Sequence, residues 1–206
     1  MDIIFEDKTH IEAKSGGAML NLAVSLGRCK VNTSLLTELG SDKVADEIIS
    51  FLNENNVSTE YITKYKNQVT SIALAFLDEN KKPTYSFYKN YPELRKLSFP
   101  NKICKNDIII FGSLYSLDVK IREQLKEFIV KAKEESALII YDPNIRHSHH
   151  LEDENIFKSL KDNLGFADII KGSDEDFENI FGTTNDDTII NKIKSINKKA
   201  IIILTK

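Results

Sequence analysis

Four short apolar runs in the second half of the chain narrow what it can fold into more than any other feature. Ile108-Ile109-Ile110-Phe111 ends at Gly112-Ser113, and Ala137-Leu138-Ile139-Ile140-Tyr141 ends at Asp142-Pro143. Ala167-Asp168-Ile169-Ile170 ends at Lys171-Gly172, and Ala200-Ile201-Ile202-Ile203-Leu204 is the last. Helical spacings separate them: Ile121, Leu125, Phe128, Ile129 and Ala132; then Ile156, Leu160 and Leu164; then Phe177 and Phe181 behind Ser173, stopped by Gly182; then Ile189, Ile190, Ile193 and Ile196. Continuous apolar strands alternating with helices predict an α/β protein with a mainly parallel sheet covered on both faces.

The first half reads differently. Asp2 to Phe5 is a short apolar run, Ile11 to Lys14 a short strand, and Val31 to Leu39 a strand closed by Gly40. Ser41 or Asp42 can cap a helix carrying Val44, Ile48, Phe51 and Leu52, which ends near Asn55-Asn56. Ser71 to Tyr88 alternates, turns at Asp78-Glu79-Asn80-Lys81 and returns with β-branched and aromatic residues, the pattern of a β-hairpin. Phe87 and Tyr88 are expected on an open face that wants a ligand or another subunit.

Composition removes several classes of function. A net charge of −3 with scattered basic residues disfavours nucleic acid and acidic membrane surfaces. No apolar run reaches the roughly 18 residues of a membrane span and no signal peptide is evident, so a cytoplasmic location is expected. Cys29 and Cys104 read as reduced thiols, and His147, His149 and His150 as a solvated loop lacking partners at metal spacing. The chain has no G-x-G-x-x-G, phosphate-binding loop or G-x-S-x-G elbow, which counts against a dinucleotide enzyme and a serine hydrolase.

In parallel sheets ligands bind beyond the carboxyl ends of the strands. That rule selects Gly112-Ser113, Asp142-Pro143-Asn144-Ile145-Arg146 and Lys171-Gly172-Ser173-Asp174-Glu175-Asp176. Asn144 and Arg146 suit hydroxyls or phosphate, whereas Ser173 to Asp176 is also close to a capping box. Near the front, Gly16-Gly17 precedes a largely apolar stretch, Ala18 to Leu26, interrupted by Asn21 and Ser25. This is either a turn before a core helix, with Asn21 a satisfied buried amide, or a helix start whose free N–H groups and Asn21 meet a hydroxylated or anionic ligand.

Taken in order, these residues resemble the PfkB (ribokinase-like) carbohydrate kinases, the fructokinase-like branch in particular. Gly16-Gly17-Ala18-Met19-Leu20-Asn21-Leu22-Ala23 is similar to that family's Gly-Gly-Ala-Pro-Ala-Asn-x-Ala, and Leu39-Gly40-Ser41-Asp42 to its next segment. Phe111-Gly112-Ser113-Leu114, the Asp142 to Arg146 run and the Lys171 to Asp176 run follow in family order. Met19 stands in place of a proline, Lys30 and Ala45 in place of glycines, and Asp176 in place of a glutamate.

The resemblance implies a three-layer αβα fold with a small β lid, its strands approximately 10–15 and 70–90, within one incomplete domain spanning 1–206. It implies ATP and Mg2+ as cofactors and a sugar as substrate, with fructose suggested by the branch and other sugars left open. The sugar would rest on Gly16, Gly17 and Asn21, contacted by Asp2 and covered by Phe87. Asp142, Asn144 and a supporting Arg146 would lie where sugar meets nucleotide. Lys171, Ser173 and Asp176 would serve the nucleotide, Asp176 touching the metal only indirectly. The lid could pair two copies into a homodimer.

The family's Asp-Thr-x-Gly-x-Gly-Asp segment, source of the catalytic base and of an anion-holding loop, has no counterpart here, since Gly182 is the last glycine. The base is therefore expected beyond Lys206, and residues 1–206 alone are expected to be inactive. Ile201 to Leu204 is expected to expose apolar area unless something covers it. A truncated pseudoenzyme that binds a sugar or a partner is the alternative.

Overall fold

The computed structural model describes residues 1–5, 11–79, 81, 83–145, 151 and 153–206, with only the backbone of Pro83. Arg146 and the three clustered histidines lie outside the described residues, as do His10 and Asn80 in the expected lid. Two compact units divide the chain, Met1–Phe99 and Pro100–Lys206.

The first unit holds β1 (Asp2–Phe5), β2 (Ile11–Lys14), α1 (Ala18–Arg28), β3 (Thr33–Ser34), β4 (Thr37–Gly40), α2 (Lys43–Glu54), β5 (Val57–Ser58), β6 (Ile62–Tyr65), β7 (Ile72–Leu77) and β8 (Pro83–Tyr88). One four-stranded sheet runs β2-β1-β7-β8, and β3 pairs with β5 and β4 with β6, both parallel. The expected hairpin is β7–β8, and β1 joins it as a parallel neighbour, so Asp2–Phe5 belongs to the lid sheet. The strand expected over Val31–Leu39 is two strands, broken where Leu35 turns into the core. Asp42, not Ser41, caps α2 by accepting the Ala45 N–H at 2.9 Å.

Phe87 and Tyr88 do not share a face. Neighbouring strand residues point to opposite sides, and the register puts Phe87 in a row with Ala73, Asp2 and Lys14. Tyr88, Phe76 and Ile11 lie on the other side, all exposed, with Phe5 and Phe76 stacked at 4.8 Å.

The second unit holds β9 (Ile108–Gly112), a short 3₁₀ turn (Leu114–Leu117), α3 (Arg122–Glu134), β10 (Leu138–Asp142), α4 (Glu154–Phe166), β11 (Ile169–Ser173), α5 (Asp174–Phe181), α6 (Asp186–Ile196) and β12 (Ile201–Thr205). Its four strands are all parallel, in the order β12-β11-β10-β9. Strictly sequential order has a consequence: right-handed crossovers that always step the same way put every helix on the same face. Phe111, Ile139, Tyr141 and Ile170 accordingly share one buried cluster with residues of α3 through α6.

The opposite face carries Ile108, Leu138, Ile201 and Ile203, which remain 56, 36, 62 and 45% exposed. Cover by this unit's own helices is thus one-sided. The expected apolar exposure at the last strand is present at Ile201 and Ile203, while Ile202 and Leu204 pack on the helical side.

Candidate active site

The first unit gathers polar groups where β1 meets the start of α1. A Cβ added to Gly16 would lie 1.9 Å from Asp2 Oδ2, so the glycine is the space in which that carboxylate sits. Burial pushes the Asp2 carboxyl up from its ordinary value, opposed by the charge of the chain's amino terminus. Gly17 follows at φ 117 and ψ 138, a backbone that side chains rarely adopt, and among the described residues no side chain caps the helix it starts. The first turn of α1 therefore keeps N–H groups for another partner.

Asn21 stands in that first turn and is exposed, which removes the alternative of a satisfied buried amide. Leu20, Ala23, Val24 and Gly27 face the core instead. On the lid sheet, Phe87 lies in the same row and on the same face as Asp2, two strands away across the small side chain of Ala73. Tyr85 stacks against Phe87 at 5.7 Å.

The second unit gathers a separate set at the carboxyl ends of β9, β10 and β11. Gly112 and Asp142 approach so closely that a Cβ on the glycine would fall 1.7 Å from the Asp142 carbonyl oxygen. The Ser113 N–H donates to that same oxygen at 3.0 Å. Ser113 and Asn144 both have left-handed backbones, φ 58 and 47, side by side at the edge selected from sequence. Non-glycine residues hold such conformations only where their surroundings force them.

The forcing groups lie just behind. Ser116 Oγ donates to the Ser113 carbonyl at 2.8 Å, and buried Arg122 and Asn163 hold Ser116 in turn. Tyr141 is fully enclosed beside them, and burial pushes its phenol up to about 12.

Asp142 Oδ2 meets Lys171 Nζ at 3.1 Å, while Oδ1 is buried with no hydrogen-bond partner among the described residues. Burial raises its carboxyl above the ordinary range, with Lys171 opposing and Asp176 adding to the rise. The Lys171 ammonium is therefore not an isolated cation but half of an ion pair. Asp176 is fully engaged. Oδ1 accepts the Ile145 N–H at 2.7 Å, and Oδ2 accepts both the N–H and the hydroxyl of Ser173 at 2.8 Å. Ser173 Oγ accepts the Asp176 N–H in return, which completes the capping box expected from sequence.

Asn179, which sequence did not single out, donates to the Ile145 carbonyl at 3.0 Å. The turn after β10 is thus gripped by α5 at both ends of one residue. Both oxygens of Asp176 accept hydrogen bonds, whereas Asp142 Oδ1 has no hydrogen-bond partner among the described residues. A magnesium ion that takes one protein carboxylate plus phosphate and water oxygens fits that donor set through Asp142.

Among the described residues no cluster of three metal-ligating side chains occurs and no helix is long and apolar enough to cross a membrane. Both cysteines are free and exposed.

The family model of the pfkB family carbohydrate kinases matches residues 5–206. A putative sugar kinase of Pyrococcus horikoshii is 29% identical over 176 residues, covering 83% of this chain and 56% of that protein. A probable fructokinase-2 of Arabidopsis thaliana is 28% identical over 180 residues, covering 84% of this chain and 54% of that protein. The crystal structure of fructokinase from Vibrio cholerae, in its fructose, ADP and calcium ion bound form, superposes with a TM-score of 0.86 at 21% identity. It is matched over 100% of this chain and 67% of that one. The likeness shows a ribokinase-like α/β fold, and the chain spans about half the length of the curated relatives it matches.

Proposed function

Because this chain belongs to the pfkB family of carbohydrate kinases, we propose that it supplies the sugar-binding part of an ATP-dependent sugar kinase acting on fructose or a related carbohydrate. One observation carries the reading: an Asp2 carboxylate fitted into the space left by Gly16, beside the uncapped start of α1. Carboxylate oxygens accept from sugar hydroxyls and helix N–H groups donate to them, a pairing that suits a polyol. Asn21 can do both, and Phe87 offers an apolar surface on the same face as Asp2.

Asp142, Asn144 and Arg146 serve the boundary of sugar and nucleotide in this reading. Lys171 and Ser173 serve the nucleotide, and Asp176 acts at one remove by holding Ile145 and capping α5. With ATP and Mg2+, the γ-phosphoryl passes to a sugar hydroxyl whose proton goes to a base, and ADP leaves. The metal would supply charge neutralisation of the phosphates, and Asp142 would be the carboxylate that holds it. The outward lid face bearing Ile11, Phe76 and Tyr88 would pair two copies.

Isothermal calorimetry with fructose and turnover measured with fructose and ATP test the reading together. Binding of fructose without turnover by residues 1–206 is expected, since these residues contain no Gly-x-Gly-Asp segment. A normal rate would remove the inactivity claim, and no sugar binding would remove the site. Binding that never becomes turnover, even in the longest form of the gene product, would favour the pseudoenzyme alternative.

A further inference from the structure

Three residues on one short stretch of chain touch both ends of the lid hairpin. Strand residues two apart share a face, so Glu38 and Gly40 lie on one side of β4, and Asp42 follows in the bend that caps α2. Two acids thus bracket a bare stretch of backbone, Glu38 on the strand and Asp42 just past its end.

Asp42 grips the residue that leads into β7. Its Oδ2 accepts the Thr70 N–H at 2.6 Å and its Oδ1 accepts the Thr70 hydroxyl at 2.7 Å. Gly40 lies flat against the same segment: a Cβ there would meet the Gln68 carbonyl oxygen at 2.4 Å and the Thr70 nitrogen at 2.6 Å. Its N–H donates to Thr70 Oγ1 at 3.1 Å, and the Ser41 N–H donates to the Gln68 carbonyl at 3.1 Å.

Glu38 grips the chain after β8. Arg95 Nε donates to both of its oxygens, at 3.0 and 3.2 Å, and both side chains are almost wholly enclosed. Tyr65 of β6 donates its hydroxyl to Glu38 at 2.7 Å and accepts the Lys96 N–H at 2.9 Å. The Ser98 N–H donates to Thr63 Oγ1 on that same strand at 3.1 Å, and Tyr91 lies under the Arg95 guanidinium at 4.0 Å.

We propose that Glu38 and Asp42 are positioning residues for the lid: they pin the trailing and leading roots of the β7–β8 hairpin to β4 and to the bend that follows it, and so fix the sheet that carries Asp2 and Phe87 against the glycine turn. The inference rests on the reading of that sheet as the cover of a sugar site. A hairpin held at one root can swing, whereas one held at both can only flex between them. The buried pair and the cap clamp therefore act on a single motion, and loosening both has more effect than the two separate effects combined.

Hydrogen exchange by mass spectrometry on residues 1–206 tests this without any ligand. Thr70→Val removes a hydroxyl at the leading root and leaves the Asp42 cap on α2. Tyr65→Phe removes the shared hydroxyl at the trailing root. Each is expected to speed exchange in peptides from 71–79 and 83–89 about threefold, and the double variant by well over tenfold, with α1 and α2 peptides unchanged. Thr70→Ser, which keeps the hydroxyl, should restore the original exchange. Unaltered lid exchange in all variants, strictly additive effects, or an equal rise in α1 and α2 would each overturn the proposal. A fructose titration of the same samples reads the sugar site separately: weaker binding in Thr70→Val restored by Thr70→Ser supports a lid function. If the unsubstituted chain binds no fructose, the sugar reading fails while the clamp result stands.

Discussion

Replacing Gly16 by alanine isolates what the Asp2 carboxylate does. The new methyl would begin 1.9 Å from Asp2 Oδ2 and 2.5 Å from its Cγ. Ordinary contact needs roughly 3.5 Å, so the carboxylate must retreat by about 1.5 Å. A hydrogen bond stretched by that much is lost. One charged hydrogen bond to a sugar hydroxyl contributes about 1.5–3 kcal/mol, so fructose affinity should fall about 10- to 150-fold. Folding should scarcely notice. The displaced atoms end a short, half-buried side chain, and an alanine that fits the backbone at 16 reduces unfolded-state entropy by about 0.4–1 kcal/mol.

Gly17→Ala is the matched control, because nothing lies within 4 Å of its Cβ but φ is 117. It should lose stability, by about 1–3 kcal/mol, with Asp2 undisturbed. Calorimetric titration with fructose alongside thermal unfolding of both variants separates the two effects. Unimpaired fructose binding by Gly16→Ala would refute a sugar-contacting role for Asp2.

The remaining predictions concern packing and charge. Asp176→Ala strands the Ile145 and Ser173 N–H donors and should cost about 2–4 kcal/mol in urea unfolding, far more than loss of an exposed cap. Ile201→Lys with Ile203→Lys should change stability by about 0.5 kcal/mol or less while raising the concentration at which light scattering detects aggregates; Ile139→Ala, on the covered face, should cost about 2–5 kcal/mol. Burial works to raise the Asp42 carboxyl, but hydrogen bonds from Thr70 and Ala45 outweigh it and hold the group below its ordinary value of 3.8. Its support is therefore full above that value and lost as pH falls through the lower folded value, so lid exchange, corrected for its intrinsic pH dependence, should accelerate below about pH 3.8. Asp142, raised in the fold, has the opposite sign: its penalty is relieved as pH falls through its raised value toward 3.8, before the loss at Asp42 begins.

What the sequence made legible was local. The β7–β8 hairpin, the Asp42 cap, the Ser173–Asp176 box and the strand–helix rhythm each depend on neighbours a few residues apart. Phe87 and Tyr88 fall on opposite faces because they are neighbours on β8, a separation already present in their adjacent positions. The two-residue strands β3 and β5 carry no pattern of their own, since each exists only because a partner distant in sequence lies alongside. Family order pointed to Asp2 and Gly16, but only the fold shows the carboxylate filling the glycine's empty side. The capping box was visible as Ser173 and Asp176; the bond to Ile145, which occupies the other oxygen, was not. Lys30 shows how a rule bends: a lysine stands where the related segment has glycine, yet its φ is 61, the glycine-like conformation retained at a cost of about 1–2 kcal/mol.

The one-sided sheet of the second unit has a colloidal consequence. Among the described residues β12 is the last strand of the hydrogen-bonded ladder, and Ile201 and Ile203 form an oily border along it. A body wetted on one flank and water-shy on the other behaves as a surfactant does: dilution keeps it dispersed, and crowding makes it stick to whatever similar surface it meets. Ionic strength should matter little to that adhesion, temperature and protein dose a great deal.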